Sequence, residues 1–529
     1  MSTPYPSLAD RVGWGHPDVL GRRARERLLL CLTMLVPLIL ALAISVEMPK
    51  PNLESVVVVV GMVLGVAGVF ALMISSRYTV TLTILALYLG LLDGPIKLGS
   101  ASKVASGFRD ILIVAIGLGM LMRLPLKRER VTLPPLSGWV LAFVAVVVVE
   151  ALNPHTNGVT KIIAGYRQEL EFIPLFFFAY LIMRSKQRFR QFFLILGVIA
   201  LANGLVGTYQ SRLSPGGLGS WGPGYGAQQS GQGGGRTYSV EGVSHPRPPA
   251  LGSDSGFGGG VGVLALPGLL ALLGAKALRR RWPVLLCCMG ALLGIATSAS
   301  RTSVIIAVVT LISFAGLSMI AGLRVSRPLA GFLAVALLAG GVGWALVAAN
   351  GSQIFRRQES IVKLAPGGEG GGDAKEKHLS EVPRDITHAP FGLGLGVGGS
   401  VGGFGGHEKV TIENEKVSGG SAYNLLAVEV GAPGLLLWIG LSLSAIALGV
   451  RRLRRVVDPE LRIYLVAVLA SYVGFAVQGL AGPTLAVTPA GAYIWFVPGV
   501  IAYWFAGPGR GAMTRTASAV VTTAGGAMA

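Results

Sequence analysis

Long apolar runs separated by clusters of arginine and lysine constrain this chain more than any other feature. Such runs lie near residues 28–46, 55–75, 78–92, 110–126, 135–152, 170–184, 191–209, 256–275, 282–298, 302–323, 328–348, 422–450, 462–481 and 487–506. About 20 apolar residues let a helix cross the hydrocarbon core of a bilayer. Lipid offers no hydrogen-bond partners, so each crossing segment must satisfy its own backbone. Of 529 residues, 52% are hydrophobic and only 13% charged, which excludes an ordinary soluble domain. The expected fold class is all-α, a polytopic transmembrane helix bundle of about 12–14 spans. The run 78–92 is short for a crossing and is expected to tilt, re-enter or merge with a neighbour. The first run ends near Ala41-Leu42-Ala43 and is similar to a signal peptide, but the long polar segment before it points to an uncleaved anchor.

The formal charge of +20 would suit a polynucleotide partner, but its placement argues against one. Arg22 to Arg27 precede the first run. Lys127 to Arg130 follow the fourth, Arg184 to Arg190 the sixth, and Lys276 to Arg281 the eighth. Arg324 and Arg327 follow the tenth, and Arg451 to Arg455 the twelfth. Every cluster falls after an even-numbered run, which is the positive-inside pattern. The expectation is a multi-pass protein of a bacterial cytoplasmic (inner) membrane with both termini cytoplasmic and no nucleic-acid partner. The chain then divides into a cytoplasmic tail 1–27, transmembrane helices 28–209, a glycine-rich outer loop 210–255, helices 256–348, a large and partly helical outer loop 349–421, helices 422–506 and a cytoplasmic tail 507–529. The first outer loop contains SPGGLGSWGPGYGAQQSGQGGGR and is expected to be flexible. No internal repeat of the kind found in inverted-topology transporters is visible.

Candidate chemistry gathers on the outer side. Arg167 lies in GYRQELEF, Arg247 in HPRPPALGSDSGF, Arg301 in the short turn SASRTS, and Arg356, Arg357 and Arg384 in the large loop. A loop arginine usually snorkels to headgroups or pairs with an acid. Arg301 stands apart, because its turn is short, apolar runs flank it and its charge opposes the topology pattern. Several arginines on one face suit an anion, since the guanidinium fork donates paired hydrogen bonds to phosphate. Tyr423, Asn424 and Glu429 sit in SAYNLLAVEVGAPGLLL. A carboxylate at Glu429 must pair, protonate or face a polar cavity. It is expected to hold an arginine or a helix contact, and Asn424 to order the loop-to-helix junction. Gly431-Ala432-Pro433-Gly434 should break or kink that helix. The stretch FGLGLGVGG follows no strand and is read as a tight backbone bend rather than a nucleotide loop. Cys31, Cys287 and Cys288 lie in apolar runs, and no histidine pair has metal-ligand spacing, so neither disulfide nor metal is expected.

Three stretches together resemble a family. They are SASRTSVIIAVVTL, HAPFGLGLG and SAYNLLAVEVGAPGLLL, with weaker echoes in FRDILIV and GYRQEL. The set is similar to the O-antigen ligase and polymerase-like superfamily of bacterial membrane proteins and covers about residues 240–445. The resemblance implies a metal-independent, cofactor-free glycosyltransferase. Such an enzyme moves a glycan from an undecaprenyl diphosphate carrier to a lipid, glycan or protein acceptor, as in ligases and polymerases of cell-surface polysaccharide biosynthesis. It further implies that Arg301 and Arg247 bind the diphosphate, with Arg167, Arg384 and Asn424 also on the substrate side. A histidine often precedes the family's asparagine and activates the acceptor hydroxyl; this chain has Tyr423 there, so the catalytic candidates are His388 and Tyr423. The alternatives are a secondary transporter or flippase, and a non-catalytic relative that binds polyprenyl lipid.

Overall fold

A computed structural model describes residues 53–127, 133–229, 237–275, 280–323, 372–398 and 411–509, a few positions inside these ranges excepted. The expected spans at 28–46 and 328–348, both terminal tails, and Arg356 and Arg357 lie outside the described residues. In chain order the helices are α1 (Leu53–Ile74), α2 (Tyr78–Leu87), α3 (Asp93–Ser100), α4 (Lys103–Lys127), α5 (Ser137–Glu150), α6 (Val159–Leu170), α7 (Pro174–Ile182) and α8 (Lys186–Gln210). There follow α9 (Pro223–Gln229), α10 (Phe257–Gly274), α11 (Trp282–Thr297), α12 (Arg301–Ile320), α13 (Gly372–His388), α14 (Ala422–Glu429), α15 (Gly431–Leu453), α16 (Pro459–Gln478) and α17 (Ala490–Ile501). Two short hairpins, β1 (Thr237–Val240) with β2 (Val243–Pro246) and β3 (Thr411–Ile412) with β4 (Glu415–Lys416), complete the described structure. Six helices are long and apolar enough to cross a membrane: Tyr78–Gly99, α8, α10, α12, α15 and α16. The chain is thus a helical membrane protein.

The chain forms two compact units. One comprises Met1–Arg77 and Ala115–Val131; within it α1 meets the later part of α4, where a Cβ added at Gly119 would lie 2.7 Å from the Met73 side chain. The other comprises Tyr78–Val114 and Thr132–Ala529 and holds everything discussed below. Its core is α10, apolar on every side and buried along its length. Glycines bring the backbones together: a Cβ at Gly204 on α8 would meet the Gly290 carbonyl of α11 at 2.1 Å, and one at Gly262 on α10 the Ala291 carbonyl at 2.4 Å. Where lipid supplies no hydrophobic drive between helices, such close packing of small residues is the main source of cohesion.

The charged residues sort to two ends of this unit. At one end Arg190 bonds Glu460 at 2.6 Å and Lys186 meets Asp458 at 2.6 Å, which joins the start of α8 to that of α16. Arg454 donates to the Ile320 carbonyl, Arg452 to that of Phe505, and Arg462 to that of Ala321 at 2.9 Å. The basic clusters that follow the sixth and twelfth apolar runs therefore lie at one end, with the last turn of α12. The opposite end carries the remaining polar groups.

Two expectations are corrected, and one, the break at Gly431-Ala432-Pro433-Gly434, is met. The run 170–184 is not one span: α6 ends at Leu170, and α7 is a nine-residue helix opened by Pro174. The run 422–450 breaks at Val430 into α14 and α15, at the glycine–proline cluster that marked it. The glycine-rich loop is not loose throughout. Leu218, Trp221 and Tyr225 pack on Leu98 of α3, and Gly222 and Gly224 let the two backbones touch, since Cβ atoms there would lie 2.7 Å from Gly99 and Leu98. Apolar residues at helical spacing overrode the glycine content.

Candidate functional site

The glycine-rich bend 389–398 is the keystone of the polar end. Gly392, Gly394 and Gly396 have φ of 93°, 88° and 69°, the left-handed region open to glycine. The bend lies across the α14–α15 break: Leu393 N–H donates to the Val428 carbonyl at 2.7 Å, and Ala432 N–H to the Pro390 carbonyl at 2.9 Å. Its other side rests on the α5–α6 turn, where Leu395 N–H donates to Thr156 Oγ1 at 2.9 Å and Asn153 Nδ2 to the Gly392 carbonyl at 3.2 Å. Glu429, fully buried at the end of α14, accepts Gly398 N–H at 3.0 Å and Gln168 Nε2 at 3.1 Å. Of the two partners expected for Glu429, the helix contact is realised and an arginine is not among its hydrogen-bond partners.

α6 joins this bend to a second cluster. Gln168 and the buried Glu169 face Glu429, and neither carboxylate oxygen of Glu169 has a hydrogen-bond partner among the described residues. The preceding residue, Arg167, pairs with Asp110 at 2.6 Å. Buried Arg109 forks onto Glu171 with bonds of 2.6 and 3.0 Å, lies 3.7 Å from Asp93 and stacks over Phe172. Sequence reasoning did not single out Arg109, Asp93 or Glu171; the available signal was the charge in FRDILIV, inside an otherwise apolar run. Arg167, expected on the substrate side, has its guanidinium on Asp110. Arg384 likewise contacts its neighbour Asp385 at 3.1 Å.

Asn424 is buried and donates to Asp385 Oδ2 at 2.8 Å, which ties α14 to α13. Burial pushes the Asp385 carboxyl above its ordinary value, while Arg384 and Asn424 act in the opposite sense. His388 closes α13 and is exposed; its Nδ1 lies 2.9 Å from the Arg384 carbonyl. A carbonyl can only accept, so Nδ1 carries the hydrogen and the neutral ring keeps its lone pair on Nε2. The Tyr423 hydroxyl donates to the Ala476 carbonyl at 3.1 Å, within the packing of α14 on α16.

The segment that follows Arg247 and the turn that holds Arg301 come together at the same end. The segment 246–256 is pinned by side-chain amides: Gln210 exchanges two bonds with Ala250 at 2.8 and 3.1 Å, Asn203 accepts Leu251 N–H at 3.0 Å, and Gln228 donates to the Ser253 carbonyl at 2.6 Å. Pro248 accepts Gly256 N–H at 3.1 Å, and Gly256 opens α10 where an added Cβ would lie 3.7 Å from the Ser300 Cβ. Ser300 caps α12 by accepting Ser303 N–H at 3.3 Å, with Arg301 as the first helical residue. Two helix N-termini thus lie side by side; Arg301 opens one of them, and Arg247 directly precedes Pro248, whose carbonyl holds the other. The partial positive charge of a helix N-terminus disfavours an arginine there and favours an anion. Beside Phe257 an apolar recess of about 80 Å³ is lined by Gly90, Leu196, Val261, Pro489 and Phe496 among others. Among the described residues no three His, Cys, Asp or Glu side chains are grouped to hold a metal ion. No protein-family model matches the chain, and no curated protein matches it either.

Proposed function

We propose that this chain is a membrane-embedded glycosyltransferase that moves a glycan from an undecaprenyl diphosphate carrier to a lipid, glycan or protein acceptor on the outer side of a bacterial cytoplasmic membrane. The observation that carries the reading is that the N-termini of α10 and α12 lie side by side, with Arg301 opening α12 and Arg247 next to Pro248, beside an apolar recess. Dipoles and arginines would hold the diphosphate and stabilise the charge that develops as it leaves. The recess would take the start of the polyprenyl tail. The positive-inside pattern puts this end outside and both termini in the cytoplasm.

In this reading the acceptor oxygen attacks the anomeric carbon, and the bond from that carbon to the diphosphate oxygen breaks. The carrier diphosphate leaves with the electron pair, and the acceptor proton passes to His388 Nε2. Asn424 and Asp385 act as positioning residues that hold α13, and so His388, on α14. The test is to incubate the purified protein in bilayer nanodiscs with undecaprenyl diphosphate glycans and acceptors and to measure release of carrier diphosphate. Release that depends on Arg301 supports the reading. Tyr423, in place of the resembling family's histidine and bonded to Ala476, favours a second reading, a non-catalytic binder of polyprenyl lipid. Binding of undecaprenyl diphosphate without turnover of any glycan tried would support that reading instead.

A further inference from the structure

α6 is amphipathic the wrong way round for water. Its buried stripe is polar: Lys161 is 3% exposed, Gln168 5% and Glu169 2%, with Gly165 between them pressed on Leu395. The opposite stripe is apolar and open, with Val159 70% and Ile163 62% exposed. Positions 161, 165 and 168 fall on one helical face, and 159, 163 and 166 on the other. In water such a helix would turn over, because lysine and glutamate are rarely buried while valine and isoleucine face out. Against hydrocarbon the same arrangement is the stable one, since each polar side chain then finds protein and each apolar one finds lipid.

The surroundings say what covers the open stripe. The α5–α6 turn carries Leu152, strongly exposed, and the bend that rests on it carries exposed Phe391. α6 folds back along α5, with the Tyr166 hydroxyl 3.4 Å from the Val148 carbonyl. α5 is apolar between the buried Ser137 and Glu150 at its ends, and its Leu141, Val148 and Val149 are exposed. The open face of α6 thus lies against the exposed apolar side of α5, with exposed His155 and Thr160 at the turn and first turn of α6. We propose that α6 is immersed in the acyl chains of one bilayer leaflet, with Val159, Ile163 and Leu152 against lipid and the Lys161–Glu169 stripe turned to protein. The seam that holds Glu429 is then separated from lipid by the width of one helix, and α6 is not part of an aqueous loop.

The wild-type protein in bilayer nanodiscs tests this. It is labelled in parallel with a lipid-soluble diazirine and with hydroxyl radicals, and the adducts are placed by peptide mass spectrometry. Diazirine adducts on Val159 and Ile163 at the level of Val148 and Val149, with oxidation of exposed His388 but not of α6, are expected. Oxidation of α6 at the level of His388 would overturn the proposal and make the stripe water-facing. Protection from both reagents would also overturn it, because protein, such as a second copy of this chain, would then cover the stripe. Neither readout involves glycan transfer, so the result stands apart from the proposed activity.

Discussion

Glu429 holds Gly398 by its backbone N–H at 3.0 Å, and through that bond the glycine-rich bend is tied to the place where α14 stops. Substituting Glu429 with Ala leaves Gly398 N–H and the Gln168 amide buried without their acceptor. Unsatisfied buried groups cost about 1–3 kcal/mol each. Glu429→Ala should therefore lower the midpoint of thermal unfolding in detergent sharply, and Glu429→Gln much less, because an amide oxygen still accepts one of the two bonds. Equal melting of Glu429→Ala and wild type would show that the bend is held by other contacts.

Arg109 and Glu171 should behave as a buried pair. Removing one partner strands a buried charge at a cost of about 3–5 kcal/mol, whereas replacing both with apolar residues of similar volume is often neutral. Arg109→Met alone should therefore be strongly destabilised, and Arg109→Met with Glu171→Met should recover the part of the loss that comes from stranding Glu171, Asp93 still lacking the guanidinium. Additive losses in unfolding measurements would mean that the pair carries no coupling.

Asp385 sets a pH dependence. Its folded value is raised, chiefly by burial, so the folded state binds the proton more tightly than the unfolded chain does. That stabilisation is fully present below the ordinary aspartate value, about pH 4, and is lost as pH rises through the raised folded value. Asp385→Asn stays neutral and can still accept from Asn424. Its melting temperature should gain on wild type as pH rises from about 4 towards neutrality. Parallel curves would exclude the effect.

Arg301 and His388 are tested by transfer. Charge-assisted hydrogen bonds are worth roughly 1.5–3 kcal/mol, or about tenfold to a hundredfold in binding. Arg301→Lys keeps the charge but not the fork, so carrier release should fall by about that factor, and further in Arg301→Ala. Normal release by Arg301→Ala at wild-type expression rejects the role. His388→Ala should lose transfer while Tyr423→Phe keeps it. The reverse pattern would make the tyrosine hydroxyl the catalytic group.

What the amino-acid order determined by itself was local. Apolar runs placed most of the described helices, because burying the backbone in hydrocarbon leaves a helix few alternatives. The basic clusters told which helix ends belong together. Glycines at 392, 394 and 396 marked the bend, and the cluster at 431–434 marked the break, since both depend on backbone conformations set by the residue itself. Tertiary structure decided which groups face each other. Gln168 and Glu429 lie 261 residues apart, and Arg109 and Glu171 lie 62 apart. No local pattern encodes such pairings, because they follow from how whole helices pack. Packing also turned α6 inside out: its two stripes are plain in the sequence, but which of them meets protein was settled by Glu429, which bonds Gln168, and by the bend, whose Leu395 packs on Gly165, leaving the apolar residues outside.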